Sequence, residues 1–259
     1  MYDHLNRQPS AREVANEQLI DQITKIHADS EQTYGYRRVH AELAHLGVVV
    51  NRKRVQRLMR AEKLHGVTPR RKRRVYQLSA EGVHAPDLVR RDWNPDVPNK
   101  LWVADITYIR TWQGWLYLAV IMDACSRRIV GWSMQSHMRT ELVQDALDMA
   151  VARRRPPAGL VHHTDHGSQY TALTFGHELR KHKIDPSMGR VKTCYDNAVA
   201  ESFFATLKKE KTNRWSWPTR HDAQTAIFDY IERWYNLRRR HSTLDYATPA
   251  EYEENLKAS

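Results

Sequence analysis

Leu101-Trp102-Val103-Ala104-Asp105-Ile106-Thr107-Tyr108-Ile109-Arg110 is an apolar, β-branched and aromatic run interrupted by a single carboxylate. Gln113-Gly114 follows as a turn. A second run of the same kind covers residues 115–123, and a third covers 129–134 behind Ser126-Arg127-Arg128. Such runs separated by turn residues predict three antiparallel strands. Downstream the period lengthens. Residues 140–154 read as a helix with Leu142, Ala146, Met149 and Ala150 inward. A short strand is expected at 160–163, a helix at 170–182 and a fifth strand near Ile184. Residues 196–211 and 220–239 read as further helices. Antiparallel strands followed by alternating helix and strand predict an α/β core with a mixed five-stranded sheet.

Three acidic residues stand out against this frame. Asp105 lies mid-strand on the face of Val103 and Thr107, where a carboxylate is costly unless paired or liganding. Asp165 closes the fourth strand in His163-Thr164-Asp165-His166-Gly167-Ser168-Gln169-Tyr170, and ligands gather at the carboxyl ends of strands. Glu201 sits on the 196–211 helix, with Asn197 at i−4 and Lys208 at i+7 on its face and Val199, Phe203 and Leu207 on the buried side. Thirty-five residues separate Asp165 from Glu201. Each carboxylate alone also fits an ordinary role: a turn cap, an arginine partner, or the solvent face of an amphipathic helix. Together they are hard oxygen donors of the kind that hold Mg²⁺ or Mn²⁺ for phosphoryl transfer, two ions about 4 Å apart. His163 and His166 read either as DNA contacts or supports behind the ligands, or as buried structural histidines.

Upstream, Ser10-Ala11-Arg12-Glu13 is a capping box opening a helix with Val14, Leu19, Ile20, Ile23 and Ile26 inward. A second helix follows Gly35, with Val39, Leu43 and Leu46 inward and Gly47 as its stop. Asn51 caps a third, with Val55, Leu58 and Met59 inward. Two short helices about a glycine turn predict a helix-turn-helix. Lys53, Arg57 and Arg60 form an outward stripe on the third helix, and residues 51–75 hold eleven basic side chains against Glu62 alone. This is an electrostatic footprint for DNA phosphates, although a solvated helix face has the same pattern. The expected division is a helical, helix-turn-helix region at 1–63, a basic linker at 64–98, a catalytic core at 99–215 and a helical extension at 216–259.

The totals agree with a nucleic-acid partner. The chain has 259 residues, 41 Lys and Arg against 30 Asp and Glu, and a net charge of +11. Two cysteines, Cys125 and Cys194, exclude a disulfide framework and a Cys-x-x-Cys zinc site. The longest apolar run is too short to span a bilayer, and the N-terminus has no apolar signal core, so a soluble intracellular protein is expected.

Taken together, these motifs resemble the DDE transposases and retroviral-type integrases, most closely the second-reading-frame protein of the insertion-sequence-three family. The residues that carry the resemblance are Trp102…Asp105-Ile106-Thr107-Tyr108, Asp123…Ser126-Arg127…Val130-Gly131-Trp132, His163…Asp165…Gly167-Ser168-Gln169-Tyr170 and Cys194-Tyr195-Asp196-Asn197-Ala198…Glu201-Ser202-Phe203-Phe204…Thr206-Leu207-Lys208. Tyr235-Asn236…Arg239…His241-Ser242…Thr248-Pro249…Glu251-Tyr252 and the helix-turn-helix segment extend it over about residues 30 to 253. Residues 186–193 depart from the family's usual stretch, and no zinc-binding His₂Cys₂ module is present.

The resemblance implies a ribonuclease-H-like integrase catalytic core in the bacterial cytosol. It implies that Asp105, Asp165 and Glu201 bind the catalytic Mg²⁺ or Mn²⁺, and that Lys208 contacts DNA near the cut, with Asn197, His163 and Gln169 as further DNA-binding candidates. It implies cleavage at the terminal inverted repeats, then attack of the freed 3′-hydroxyl on target DNA. The implied partners are DNA, further copies of the chain and the upstream-frame protein, whose leucine zipper has no counterpart here. Two other readings compete: a DNA-binding regulator built on a catalytic scaffold, and a ribonuclease-H-type nuclease acting on RNA–DNA hybrids.

Overall fold

The computed structural model describes residues 8, 10–68, 85–89, 93–165, 170, 173–189 and 198–258. They form two compact units, divided at Arg70 and Arg71.

The first unit is three helices. Helix α1 (Ala11–Asp29) starts at the expected capping box, with the Ser10 side chain accepting from the Glu13 N–H and the Glu13 side chain accepting from the Ser10 N–H. Leu19, Ile23 and Ile26 are buried, whereas Val14 in the first turn is 40 % exposed, a correction to the expected inward face. Helix α2 (Tyr36–His45) buries Val39 and Leu43. Leu46, also expected inward, is the residue that ends α2 and is 60 % exposed. Gly47 then turns with φ +80°, a conformation that favours glycine. Helix α3 (Arg52–Ala61) is capped by the Asn51 side chain and buries Val55, Leu58 and Met59 as expected. Lys53, Arg57 and Arg60 are all exposed on it.

The second unit is built on one sheet. Strands β1 (Leu101–Thr111), β2 (Gly114–Asp123) and β3 (Ile129–Gln135) form an antiparallel meander. Helix α4 (Thr140–Arg154), strand β4 (Leu160–Thr164), helix α5 (Leu173–Lys181) and strand β5 (Ile184–Met188) follow. β4 pairs parallel with β1 and β5 parallel with β4, giving the order β3-β2-β1-β4-β5. One face packs on α4 and α5 through Trp102, Ala104, Ile121, Leu142, Leu147 and Phe175. Gly131 allows the closest approach there, because a Cβ at that position would collide with the Ala146 carbonyl of α4. The other face packs on α6 (Ala198–Leu207) and α7 (Arg220–Asp229) through Val103, Leu116, Leu118, Val120, Phe203 and Ile227.

The helices around the second face change pitch before they end. α6 passes into a π-helical turn at Lys208–Thr212, so helical structure reaches the expected end, whereas α7 passes into another at Tyr230–Tyr235 and stops short of 239. Both turns are held from outside. Glu210 is buried and takes two hydrogen bonds from Arg239, at 2.8 and 2.7 Å, and one from the Tyr230 hydroxyl at 2.9 Å. Helix α8 (Pro249–Ala258) closes the chain against the sheet. Its Glu253 accepts from Ser126 at 2.7 Å, Arg128 at 2.8 Å and both terminal nitrogens of Arg154 at 2.8 Å.

Each edge strand is capped at one end. The Asn236 side-chain amide accepts from the Ile129 N–H at 2.9 Å and donates to the Ile129 carbonyl at 3.0 Å on β3. Beside β5 run residues 85–89, within the stretch read from sequence as linker. Here the Leu88 N–H donates to Ser187 Oγ and the Met188 N–H to the Pro86 carbonyl. Among the described residues no helix is long and apolar enough to cross a membrane.

Candidate active site

The register of β1 and β4 sets the site. Val103 lies beside His163 in that parallel pair, and β4 ends at Thr164. Continuing the same register places Asp165 beside Asp105, at the carboxyl end of β4, where open α/β sheets collect ligands. Val103 and Thr107, the strand neighbours of Asp105 on its face, are buried. α6 lies over that face because Val199, Phe203 and Leu207 are buried against it. Glu201, half a turn away, stays exposed.

Asp105, Asp165, Glu201 and Lys208 therefore share one electrostatic neighbourhood. The Asp105 carboxyl is pushed up to about 7, first by burial, then by the charge of Asp165 and, more weakly, of Glu201. The Ile106 N–H, donating to Asp105 Oδ1 at 2.7 Å, and the Lys208 ammonium oppose that rise. Among the described residues no group of three His, Cys, Asp or Glu side chains is gathered closely enough to hold a metal ion. The carboxylates are near enough to repel one another without forming a closed cage.

Tyr170 was not singled out as a site residue in the sequence. It is buried against the rings of His162 and Phe175. Its hydroxyl has no hydrogen-bond partner among the described residues, and its proton is held well above the usual range by burial and then by the charges of Asp105 and Asp165. A signal was available: Tyr170 closes the motif that begins at His163. Lys208 is half-buried, with its ammonium 5.5 Å from the centre of the Tyr108 ring.

The remaining sequence candidates divide. His163, read either as a DNA contact or as a buried structural histidine, is 1 % exposed, shares a 2.8 Å hydrogen bond with Ser187 and packs edge-on against Trp93. His162 beside it is buried and neutral, its proton affinity pushed down to about 3 by burial. Asn197, Gln169 and His166 lie outside the described residues, as does Cys194.

Comparison with known proteins identifies the family. Models of the integrase core domain match residues 95–194 and 182–249, and a model of an HTH-like domain matches residues 14–73. The transposase for insertion sequence element IS904 of Lactococcus lactis is 40% identical over 250 residues, 96% of this chain and 99% of that protein. This chain belongs to the IS3-type insertion-sequence transposases. The transposase is also 39% identical to the transposase InsF for insertion sequence IS3A of Escherichia coli, over 86% of this chain and 78% of that one. A chain of the simian T-cell lymphotropic virus intasome shares the fold at a TM-score of 0.50 and 17% identity, covering 89% of this chain and 74% of that one. The match to transposases spans helix-turn-helix and core together, and nothing in it supports a regulator or a hybrid-specific nuclease. An HTH-like domain beside an integrase core makes the transposase a DNA-binding protein.

Proposed function

We propose that Asp105, Asp165 and Glu201 are the catalytic, metal-holding carboxylates of this transposase. With them it cuts DNA at the ends of its element and joins the freed 3′-hydroxyl to a target phosphodiester. One observation carries the reading: Asp105 on β1, Asp165 just past β4 and Glu201 on α6 lie within electrostatic reach of one another, and their charges add to the burial that lifts Asp105 to about 7. Such a cluster of hard oxygen donors fits a divalent cation, Mg²⁺ or Mn²⁺, and room for two ions is part of the proposal. When bound, these ions supply Lewis-acid charge and lower the pKa of the attacking water or hydroxyl. The chain's own part is orientation. The Ile106 N–H fixes one Asp105 oxygen, the buried Tyr170 ring walls the site, and Lys208 brings a positive charge for a phosphate next to the cut. Both reactions exchange one phosphodiester oxygen for another, so no covalent enzyme intermediate is required.

The working division of the chain is residues 1–63 for DNA recognition, 64–98 as connection, 99–215 for chemistry and 216–259 as support. Lys53, Arg57 and Arg60 would contact phosphates through their exposed stripe, and Asn197 and Gln169 would contact DNA near the cut. A homo-oligomer on DNA, aided by the upstream-frame protein, is the expected working form. The test is incubation with a labelled terminal-repeat duplex and Mg²⁺ or Mn²⁺. Metal-dependent nicking and joining that disappear in Asp105→Asn support the reading, and nicking that survives that substitution refutes it.

A further inference from the structure

The β1–β2 hairpin carries exposed aromatic rings that the core does not use. Tyr108 is 59 % exposed and Trp115 46 %, and Trp112 at the turn is 77 % exposed. Strand register explains why the first two meet. Tyr108 and Arg110 lie on one face of β1, and β2 sets Trp115 opposite Arg110 and Tyr117 opposite Tyr108 on the same face. Upstream on that face, Ala104 and Ile106 pack into the core under α4 and α5. Past Ile106 the hairpin continues with its rings uncovered. Tyr108 and Trp115 touch edge to face, with ring centres 5.1 Å apart.

Three further observations give this patch a direction. Lys208 places its ammonium 5.5 Å from the Tyr108 ring centre and also lies within electrostatic reach of Asp105, so one cation links the rings to the carboxylate cluster. Arg110 is exposed between the rings and the turn. The backbone is pinned, because Arg220 donates to the Trp115 carbonyl at 3.1 Å and the Gln113 carbonyl at 2.6 Å, and the Trp112 N–H donates to the Trp217 carbonyl at 3.0 Å. Rigid, exposed rings flanked by cations form a stacking platform for nucleobases.

We infer that Tyr108 and Trp115, flanked by Lys208 and Arg110, bind unpaired DNA bases of the strand beside the cut. The inference rests on the proposed strand-cutting reading and adds to it the form of the substrate: a duplex end frayed or single-stranded next to the scissile phosphate. Base–ring stacking tolerates any sequence, so the platform recognises unpairedness rather than base identity.

The test uses the full chain in metal-free buffer, so that binding is seen without cleavage. The probes are the element's terminal-repeat duplex with blunt ends and the same duplex with a short single-stranded flank carrying a fluorescent adenine analogue. Wild type should quench the analogue and bind the flanked duplex more tightly than the blunt one. Tyr108→Ala and Trp115→Ala should each weaken binding to the flanked duplex about tenfold and relieve the quenching, while blunt-duplex binding stays as in wild type. Tyr108→Phe, which keeps the ring, should retain both. Equal affinity of wild type for the two duplexes overturns the inference. So does an equal loss on both duplexes in Tyr108→Ala, or a loss in Tyr108→Phe as large as in Tyr108→Ala. Both alanine sites are at the surface, and a melting curve identifies any variant that fails to fold, in which case the Tyr108→Phe and Trp115→Ala measurements decide. Nicking by wild type after adding Mg²⁺ is scored separately, so failure of the catalytic reading is visible even where quenching persists.

Discussion

Two regions of the transposase hold buried or half-buried acidic side chains, and they treat them in opposite ways. At the C-terminal seam, guanidinium groups answer carboxylates: Arg154 and Arg128 on Glu253, Arg239 on Glu210, Arg153 on Glu232. Burial raises the proton affinity of Glu253, but the bonds from Arg154, Ser126 and Arg128 outweigh it and hold the group below its usual range. At the carboxyl end of β4, carboxylates face carboxylates, and Asp105 is pushed up to about 7. The acidic group is a carboxylate in both places. What differs is how far the chain's own cations answer the carboxylate, directly bonded at Glu253 and only weakly opposing at Asp105, and the proposed metal-holding role of Asp105 fits that difference.

Exchanging the roles is the sharpest way to break that contrast. Asp105→Asn should lower metal-dependent cleavage on the order of a thousandfold, as a strand-nicking assay reads, while the melting temperature of the metal-free protein holds or rises. A drop in melting temperature as large as that of a seam variant would place Asp105 among the structural acids.

Next in size is the seam. Removing one partner of a buried ion pair strands the other, so Arg239→Ala should cost about 3–5 kcal/mol in denaturant unfolding. Cleavage per folded molecule should change far less than in Asp105→Asn. The double change Glu210→Leu with Arg239→Met should recover much of the loss, because no buried charge then remains. Recovery of none would show that the hydrogen bonds, rather than the burial of charge, set the cost.

A smaller effect is expected with pH. Asp105 in the folded chain takes its proton at about 7 against an ordinary 3.8, so folding binds a proton between those values. Stability of the metal-free protein should therefore fall as pH rises from about 4 to about 7, and level off above. Asp105→Asn should flatten that slope, as melting temperatures across the window will show. Smallest of all, Arg57→Ala on the exposed face of α3 should weaken DNA binding similarly for every sequence and reduce the salt dependence of binding by about one phosphate contact. Loss at one sequence alone would make Arg57 a base reader.

Much of this contrast was legible before the structure. The strands, α4 and the settings of Asp105, Asp165 and Glu201 follow from periodicity and turn chemistry, which act locally. The seam did not. Ser126, Asn236 and Arg239 were visible as motif residues, but their work depends on partners far along the chain. Asn236 meets Ile129, 107 residues away, and Arg239 meets Glu210, 29 away. For the same reason the pattern of residues 220–239 reads as one helix, although Tyr230, Tyr235 and Arg239 are all drawn into the core and α7 gives way at Tyr230. The two readings of His163 could not be separated in the sequence, because a histidine beside a carboxylate carries no mark of burial until β5 supplies Ser187. Leu46 and Val14 misled because helix ends escape the packing that their periodicity implies.

Asn236 has one more consequence. Its side-chain amide carries the same donor and acceptor as a peptide unit, so at Ile129 it stands in for a missing neighbour strand. On the opposite side, residues 85–89 meet β5 through one backbone bond, from Met188 to Pro86, and one to the Ser187 hydroxyl. An open strand edge invites other chains to add to it. If the proposed homo-oligomer forms on DNA, that hazard is met at its highest local concentration. The transposase blunts it with an amide and a short peptide stretch, and a lesion at either place should first show as clumping of otherwise folded molecules.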